Sequence, residues 1–200
     1  MDVMRVCGGL WLAFVAVWLT WALRAKPVKR RESAASRLSY TALTVAGAYT
    51  MFASSDPRWL HSPIFPASRW LQTLIFPAGP GLQFLAILIT AMGMGFAIWA
   101  RVYLGGNWSS SVTIKVGHQL VRTGPYRWVR HPIYSGLILG LFGTALAQCR
   151  LGGFLSVALF YMGFKVKSRI EERTMMSTFG VEYDEYSRSV GAIVPKLRFR

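Results

Sequence analysis

Two cysteines in 200 residues, Cys7 and Cys149, are too few for a disulfide framework. The three histidines, His61, His118 and His131, have no metal-ligand spacing, which argues against a metalloenzyme and leaves no metal site to name. No Ser-His-Asp order, activated cysteine or Walker lysine is present, so hydrolase and P-loop chemistry lack their parts. Acidic residues are scarce, 8 against 23 Lys and Arg, giving a net charge of +15. Charge of either sign is missing altogether from Val6 to Leu23, Leu38 to Ser55, Gly81 to Ala100 and Pro132 to Cys149.

Those gaps decide the class. Crossing about 30 Å of hydrocarbon takes roughly 20 apolar residues as a helix, and each uncharged window is close to that length. Leu151 to Phe164 is shorter and serves as the return arm of a hairpin, extended by the aliphatic stems of Lys165 and Lys167. With 53% hydrophobic and 16% charged residues, the chain reads as an all-α integral membrane protein. The expectation is about five transmembrane helices, a C-terminal helical hairpin and a cytosolic cofactor pocket. Residues 1–100 would carry helices one to three, and residues 101–200 the catalytic part. Met1 to Leu23 lacks the order of a cleaved signal peptide and is taken as the first span.

The basic residues explain themselves in the same frame. Six of the Lys and Arg fall in Arg24 to Arg37, five in Arg101 to Arg130 and eight in Lys165 to Arg200. The intervening segments keep only Arg5, Arg58, Arg69 and Arg150. This positive-inside asymmetry places the N-terminus outside and the C-terminus in the cytosol, and it removes the case for nucleic acid as a partner. The loop A-K-P-V-K-R-R then sits against anionic headgroups. The first two spans, without buried ionisable groups, read as anchor and packing partners.

Between Asp56 and Pro80, five prolines surround the apolar run Trp70 to Phe76, predicted as a re-entrant or interfacial helix with Trp59 and Trp70 as anchors. Gly93 and Gly95 lack the third glycine of a dinucleotide loop and predict close helix packing, as do Gly136, Gly140 and Gly143. The fifth span runs on as a cytosolic helix, K-V-K-S-R-I-E-E-R-T-M-M-S-T-F, ended by Gly180. On it Lys167 and Glu171 are four apart, as are Arg169 and Arg173, predicting a charged ladder on one side. Most of the remaining acids lie in the tail V-E-Y-D-E-Y-S-R-S-V-G-A-I-V-P.

The densest chemistry is in Arg122 to Gly136, R-T-G-P-Y-R-W-V-R-H-P-I-Y-S-G, at the mouth of the fourth span. His131-Pro132 and Lys167 to Glu172 fall at the same end of one helical hairpin and are predicted to meet. Aromatic faces and carboxylates suit a positive centre, while histidine and arginine suit a carboxylate, so a zwitterionic or cationic cofactor fits. Residue chemistry alone leaves open a plainer reading, in which the arginines and tyrosines anchor at the interface, the glutamates pair with them and His131 is only a helix cap.

G-P-Y-R-W-V-R-H-P-I-Y-S-G, preceded by G-H-Q-L-V and followed by E-E-R-T-M-M-S-T-F-G-V-E-Y-D-E-Y, resembles the isoprenylcysteine carboxyl methyltransferase family. Related phospholipid N-methyltransferases share much of this pattern. The resemblance covers Arg101 to about Pro195. It implies an integral membrane enzyme that binds S-adenosyl-L-methionine on the cytosolic side and methylates a lipophilic small molecule or lipid drawn from the bilayer, most directly the carboxylate of an isoprenylcysteine. By the resemblance, cofactor contacts fall on His118, Gln119, Leu120, Val121, Tyr126, His131, Pro132, Ile133, Tyr134, Glu171 and Glu172. The family's acceptor-binding arginine corresponds to Lys167, with Arg169 the alternative, and a family glutamine corresponds to Ser111. Lysine keeps the charge but not the two-pronged grip on a carboxylate. A phospholipid, thiol or amine acceptor therefore stays open, as does an NADPH-dependent membrane reductase of the sterol-reductase type.

Overall fold

Each uncharged window becomes a helix. The computed structural model describes residues 2–22, 28–31, 33–55, 68–105, 113–115 and 120–196. Helices α1 (Val3–Ala22), α2 (Ala34–Ser55), α4 (Pro80–Leu104), α5 (Pro132–Gln148) and α6 (Leu151–Phe179) carry the five predicted spans. They are joined by a four-residue α3 (Ser68–Leu71) and followed by α7 (Val181–Ser189). A short antiparallel ribbon, β1 (Val28–Arg31) with β2 (Thr113–Lys115), is the strand content of the described residues. Two helices, Val3–Trp21 and Pro80–Leu104, are long and apolar enough to cross a membrane, and Pro132–Gln148 is apolar but shorter.

The helix ends follow local chemistry. Proline opens α4 and α5, where its missing N–H costs nothing and its fixed φ suits the first turn. Gly180, at φ +52°, stops α6 where the sequence predicts. The turn between α5 and α6 is tight enough to put Cys149 in the left-handed region at φ +53°. α4 passes through residues 100 and 101, so no break separates the two expected parts at that point.

Packing runs in the order α1, α4, α5, α6, α2. The α4–α5 seam is the closest. A Cβ on Gly136 would lie 2.6 Å from the backbone nitrogen of Ala97, and one on Gly93 would lie 2.8 Å from Cα of Gly140. Only glycine allows backbones so near. Gly95 departs from the expectation: it faces open space, with nothing within 4 Å of a built Cβ. Trp11 and Phe14 of α1 complete this side, the indole Nε1 of Trp11 donating to Thr144 Oγ1 at 3.0 Å.

The end of the bundle near the α5–α6 turn is strapped by polar contacts. Arg150 donates to Gln72 Oε1 at 3.1 Å, and Gln72 Nε2 donates to the Ala53 carbonyl at 3.1 Å. The interfacial helix predicted for Trp70 to Phe76 is not formed. α3 stops at Leu71, and Leu74 instead bridges Arg150 while the Ile75 amide donates to Cys149 O at 2.9 Å. A run of seven residues, five of them apolar, gains more from these backbone bonds than from an isolated helix too short to be stable alone. Trp70 is half exposed there, and Trp59 lies outside the described residues.

At the other end, Arg101 is buried at the close of α4, and its guanidinium donates to Trp21 O at 2.8 Å and Gly105 O at 3.0 Å. It thereby satisfies carbonyls at the C-termini of both α1 and α4, where a cation is favoured.

Candidate active site

The end of the α5–α6 hairpin opposite its tight turn gathers the ionisable side chains. Pro132 starts α5 and fixes the direction of the residue before it, so His131 leaves the chain at φ −123° and ψ 61°. Its side chain makes no cap bond with the helix. The ring turns toward α6 instead. Nδ1 lies 3.2 Å from Glu171 Oε2, and Nε2 lies 3.1 Å from Glu172 Oε1. One turn into α5, the Tyr134 hydroxyl donates to Glu171 Oε1 at 2.6 Å. The Tyr134 ring stacks between His131, at a centroid distance of 5.5 Å, and Phe164, at 4.7 Å.

An imidazole bonded through both nitrogens to carboxylates is best satisfied as the doubly protonated cation. Burial by itself disfavours that charge, but the hydrogen bonds and fields of Glu171 and Glu172 outweigh it and hold the His131 pKa above its usual range. The carboxylates move the opposite way. Burial pushes Glu171 up, yet His131, Lys167 and the Tyr134 hydroxyl together bring it below the ordinary range. Glu172 is lowered likewise, burial being outweighed by His131 and Arg130. The site is a compact set of alternating charges under an aromatic ring.

Lys167, one turn before Glu171 on α6, belongs to the set. Its Nζ lies 5.6 Å from the Tyr134 ring centroid and 5.2 Å from that of Tyr40 on α2. Arg169 does not join it. Two residues along a helix is about 200° of rotation, and Arg169 is exposed on the far side of α6. The predicted ladder is therefore two faces, one of them in the site.

The segment before α5 divides similarly. Tyr126 is buried in the 3-10 turn Gly124–Arg127, where its hydroxyl donates to Ala100 O at 3.3 Å and its carbonyl accepts from the Tyr186 hydroxyl at 2.6 Å. It packs with Ala100 and Ile133, flanked by Val121, and burial pushes its pKa far up, so it stays a neutral phenol. Pro132 is buried and Leu120 is half-buried. His118, Gln119 and Ser111 lie outside the described residues.

Arg130 and the C-terminal tail are parts that sequence reasoning missed. Arg130 donates from Nε and Nη2 to Glu172 Oε1 at 3.0 and 2.6 Å. Its Nη1 donates to the carbonyl of Ser187 at 2.8 Å and to that of Val190. The backbone amides of Arg130 and His131 donate to Gly191 O and Ala192 O at 2.8 and 2.9 Å, and Ser135 Oγ donates to Ile193 O at 2.6 Å. Arg122 pairs with Glu182 of α7. The tail thus forms the outer wall of the site. Its acidic residues advertised only the Arg122 contact; the others are made by carbonyls, which no side chain announces.

Residues 85–177 match the isoprenylcysteine carboxyl methyltransferase family. The match covers just under half of the chain. It contains every described residue of the cluster from Tyr126 to Glu172, while Tyr40 and the tail lie outside it. The chain is 32% identical over 114 residues to a protein-S-isoprenylcysteine O-methyltransferase of Saccharomyces cerevisiae, covering 56% of this chain and 48% of the relative. It is 33% identical over 121 residues to the protein of the same name from Schizosaccharomyces pombe, covering 58% and 50%. It is also 30% identical over 117 residues to the cobalt-zinc-cadmium resistance protein CzcN of Cupriavidus metallidurans, covering 58% and 49%. The chain thus spans about half the length of these relatives. The isoprenylcysteine carboxyl methyltransferase family is one of membrane proteins whose chemistry requires a methyl donor, consistent with the two long apolar helices here.

Proposed function

We propose that the chain is an integral membrane methyltransferase that transfers a methyl group from S-adenosylmethionine to the carboxylate of a lipophilic, isoprenylcysteine-like acceptor. The observation that carries this is the joining of His131, Tyr134, Glu171 and Glu172 in one hydrogen-bonded cluster inside the family-matched segment. The names of the two yeast relatives support the acceptor class. The cluster's chemistry fits the donor. Carboxylates beside an aromatic ring suit a sulfonium or ammonium centre, and the His131 cation and Lys167 suit a carboxylate.

Held by Glu171, Tyr134 and His131, S-adenosylmethionine would supply an electrophilic methyl on a positively charged sulfur for the acceptor's carboxylate oxygen. An ionised carboxylate has no proton to lose, so no general base is needed. The protein's part is alignment and exclusion of water. Glu171, fixed by His131 and Tyr134, orients the donor, and Lys167 meets the acceptor's negative charge. Beside these, the family resemblance assigns His118, Gln119, Leu120, Val121, Tyr126, Pro132, Ile133 and Glu172 to the donor.

In the bilayer, α1, α2, α4, α5 and α6 are the five spans, with the N-terminus outside and the site and C-terminus in the cytosol. The asymmetric distribution of Lys and Arg supports this orientation. Residues 1–100 form the membrane-embedded first part and residues 101–200 the catalytic part.

Two measurements on detergent-purified protein test the proposal. Calorimetry should show S-adenosylmethionine binding that His131→Ala and Glu171→Ala weaken, and labelled-methyl transfer to N-acetyl-S-farnesylcysteine should yield its methyl ester by mass. No binding at millimolar donor would overturn the reading.

A further inference from the structure

Tyr40 lies on α2, well before the family-matched residues, yet it reaches the site. It is buried at 8% exposure, and the Lys167 ammonium sits 5.2 Å from its ring centroid while standing 5.6 Å from that of Tyr134. Both distances are within the range at which a cation is held by a ring face. The contact joins three helices: α2 brings Tyr40, α5 brings Tyr134 and α6 brings Lys167. A glycine keeps α6 close to α2 here: a Cβ on Gly163 would lie 2.9 Å from Thr44 Cγ2 and 3.2 Å from the Tyr40 carbonyl oxygen.

A lysine on a four-carbon stem at a helix end is otherwise free to reach toward the interface, and as a point charge it lacks the rigid fork with which arginine aligns a carboxylate. Two ring faces restore part of that alignment. They confine the ammonium beside Glu171 and Tyr134. We propose that Tyr40 is a positioning residue for the acceptor: it holds Lys167 against Tyr134 where the ammonium receives the acceptor's carboxylate, so that α2 determines the preference for an acidic acceptor. This rests on the methyltransferase reading above and names the part of the chain that selects the substrate's charge.

The test compares N-acetyl-S-farnesylcysteine with its carboxamide, which differs only in charge at the reacting end. The wild-type protein should favour the acid, read as its KM against the inhibition constant of the amide. Tyr40→Leu removes the ring and should shrink that preference roughly tenfold through the acid's KM, with S-adenosylmethionine affinity by calorimetry unchanged. Tyr40→Phe keeps the ring and should retain the preference. Should Tyr40→Leu fail to give a folded protein, Lys167→Gln decides the matter, since it must remove the preference if the ammonium carries it. An acid-over-amide ratio unchanged in Tyr40→Leu, or retained in Lys167→Gln, overturns the inference while leaving donor binding and methyl transfer intact. A wild-type protein that fails to bind the donor overturns the underlying function instead.

Discussion

Helix α5 has two edges that do opposite things. Toward α4 it offers glycines, and Gly136 and Gly140 bring backbone against backbone with no functional side chain in the seam. Toward α6, in its first turn, it offers His131 and Tyr134, which meet two carboxylates and a lysine. The first edge is indifferent to charge and intolerant of volume. The second tolerates volume but depends on charge. A rigid seam beside a polar mouth is what a site needs when reacting groups must be held within a fraction of an ångström.

The largest effect should come from filling the seam. Gly136→Val places carbon where Ala97 backbone already lies, and overpacking of this kind costs about 3 kcal/mol or more. The variant is expected to lose its folded peak on size exclusion in detergent; a stable, active Gly136→Val protein would mean the seam is looser than described.

Next is the polar edge, where Glu171→Gln keeps the size and removes the charge. Hydrogen bonds to a charged group are worth about 2 kcal/mol, so donor affinity of the folded protein should fall roughly thirtyfold, and the thermal midpoint should fall as well because His131 loses one of its two carboxylate partners. A lower midpoint with unchanged donor affinity would show the glutamate to be a strut and nothing more.

The two edges should also separate by pH. The raised His131 pKa gives stability that is full below the ordinary histidine range and lost as pH rises through the raised value. The lowered Glu171 and Glu172 pKa values give stability that is full above the ordinary carboxylate range and lost as pH falls through the lowered values. The thermal midpoint should therefore be flat between the two ordinary ranges and decline on either side, with the alkaline part due to His131 absent in His131→Gln. A seam built from glycine has nothing to titrate, so helix content by circular dichroism should hold across the same scan. Smallest of all, Arg169→Ala on the outer face of α6 should change activity by less than about twofold, within the usual range for surface substitutions. A larger loss would return Arg169 to the acceptor site.

The helices could be read from the sequence because long uncharged windows leave a chain few alternatives, and because Pro132 and Gly180 mark their ends. The meeting of His131 with Glu171 and Glu172 followed from hairpin geometry alone. Lys167 and Arg169 were separable in principle, since helical rotation sends residues two apart to opposite sides. Trp70 to Phe76 misled because five apolar residues in a run of seven carry no periodicity that distinguishes a helix from an extended strap. Tyr126 reads as an aromatic of the site, and what its type did not announce is its burial between Ala100 and Tyr186. The tail was illegible for a different reason: Gly191, Ala192 and Ile193 act through their carbonyls, and any residue has one.

That last contact has a consequence for how the molecule is made. Arg130, His131 and Ser135 are presented early, yet the carbonyls that steady them come from Ser187 to Ile193, the first of these 57 residues beyond Arg130. Until those residues have been synthesised, the amides before α5 lack their partners and the Arg130 guanidinium has only Glu172, however well the hairpin is already inserted. The site is therefore braced only once residue 193 has been synthesised, and a nascent chain halted before residue 187 would hold its helices in place with Arg130 bonded to Glu172 alone.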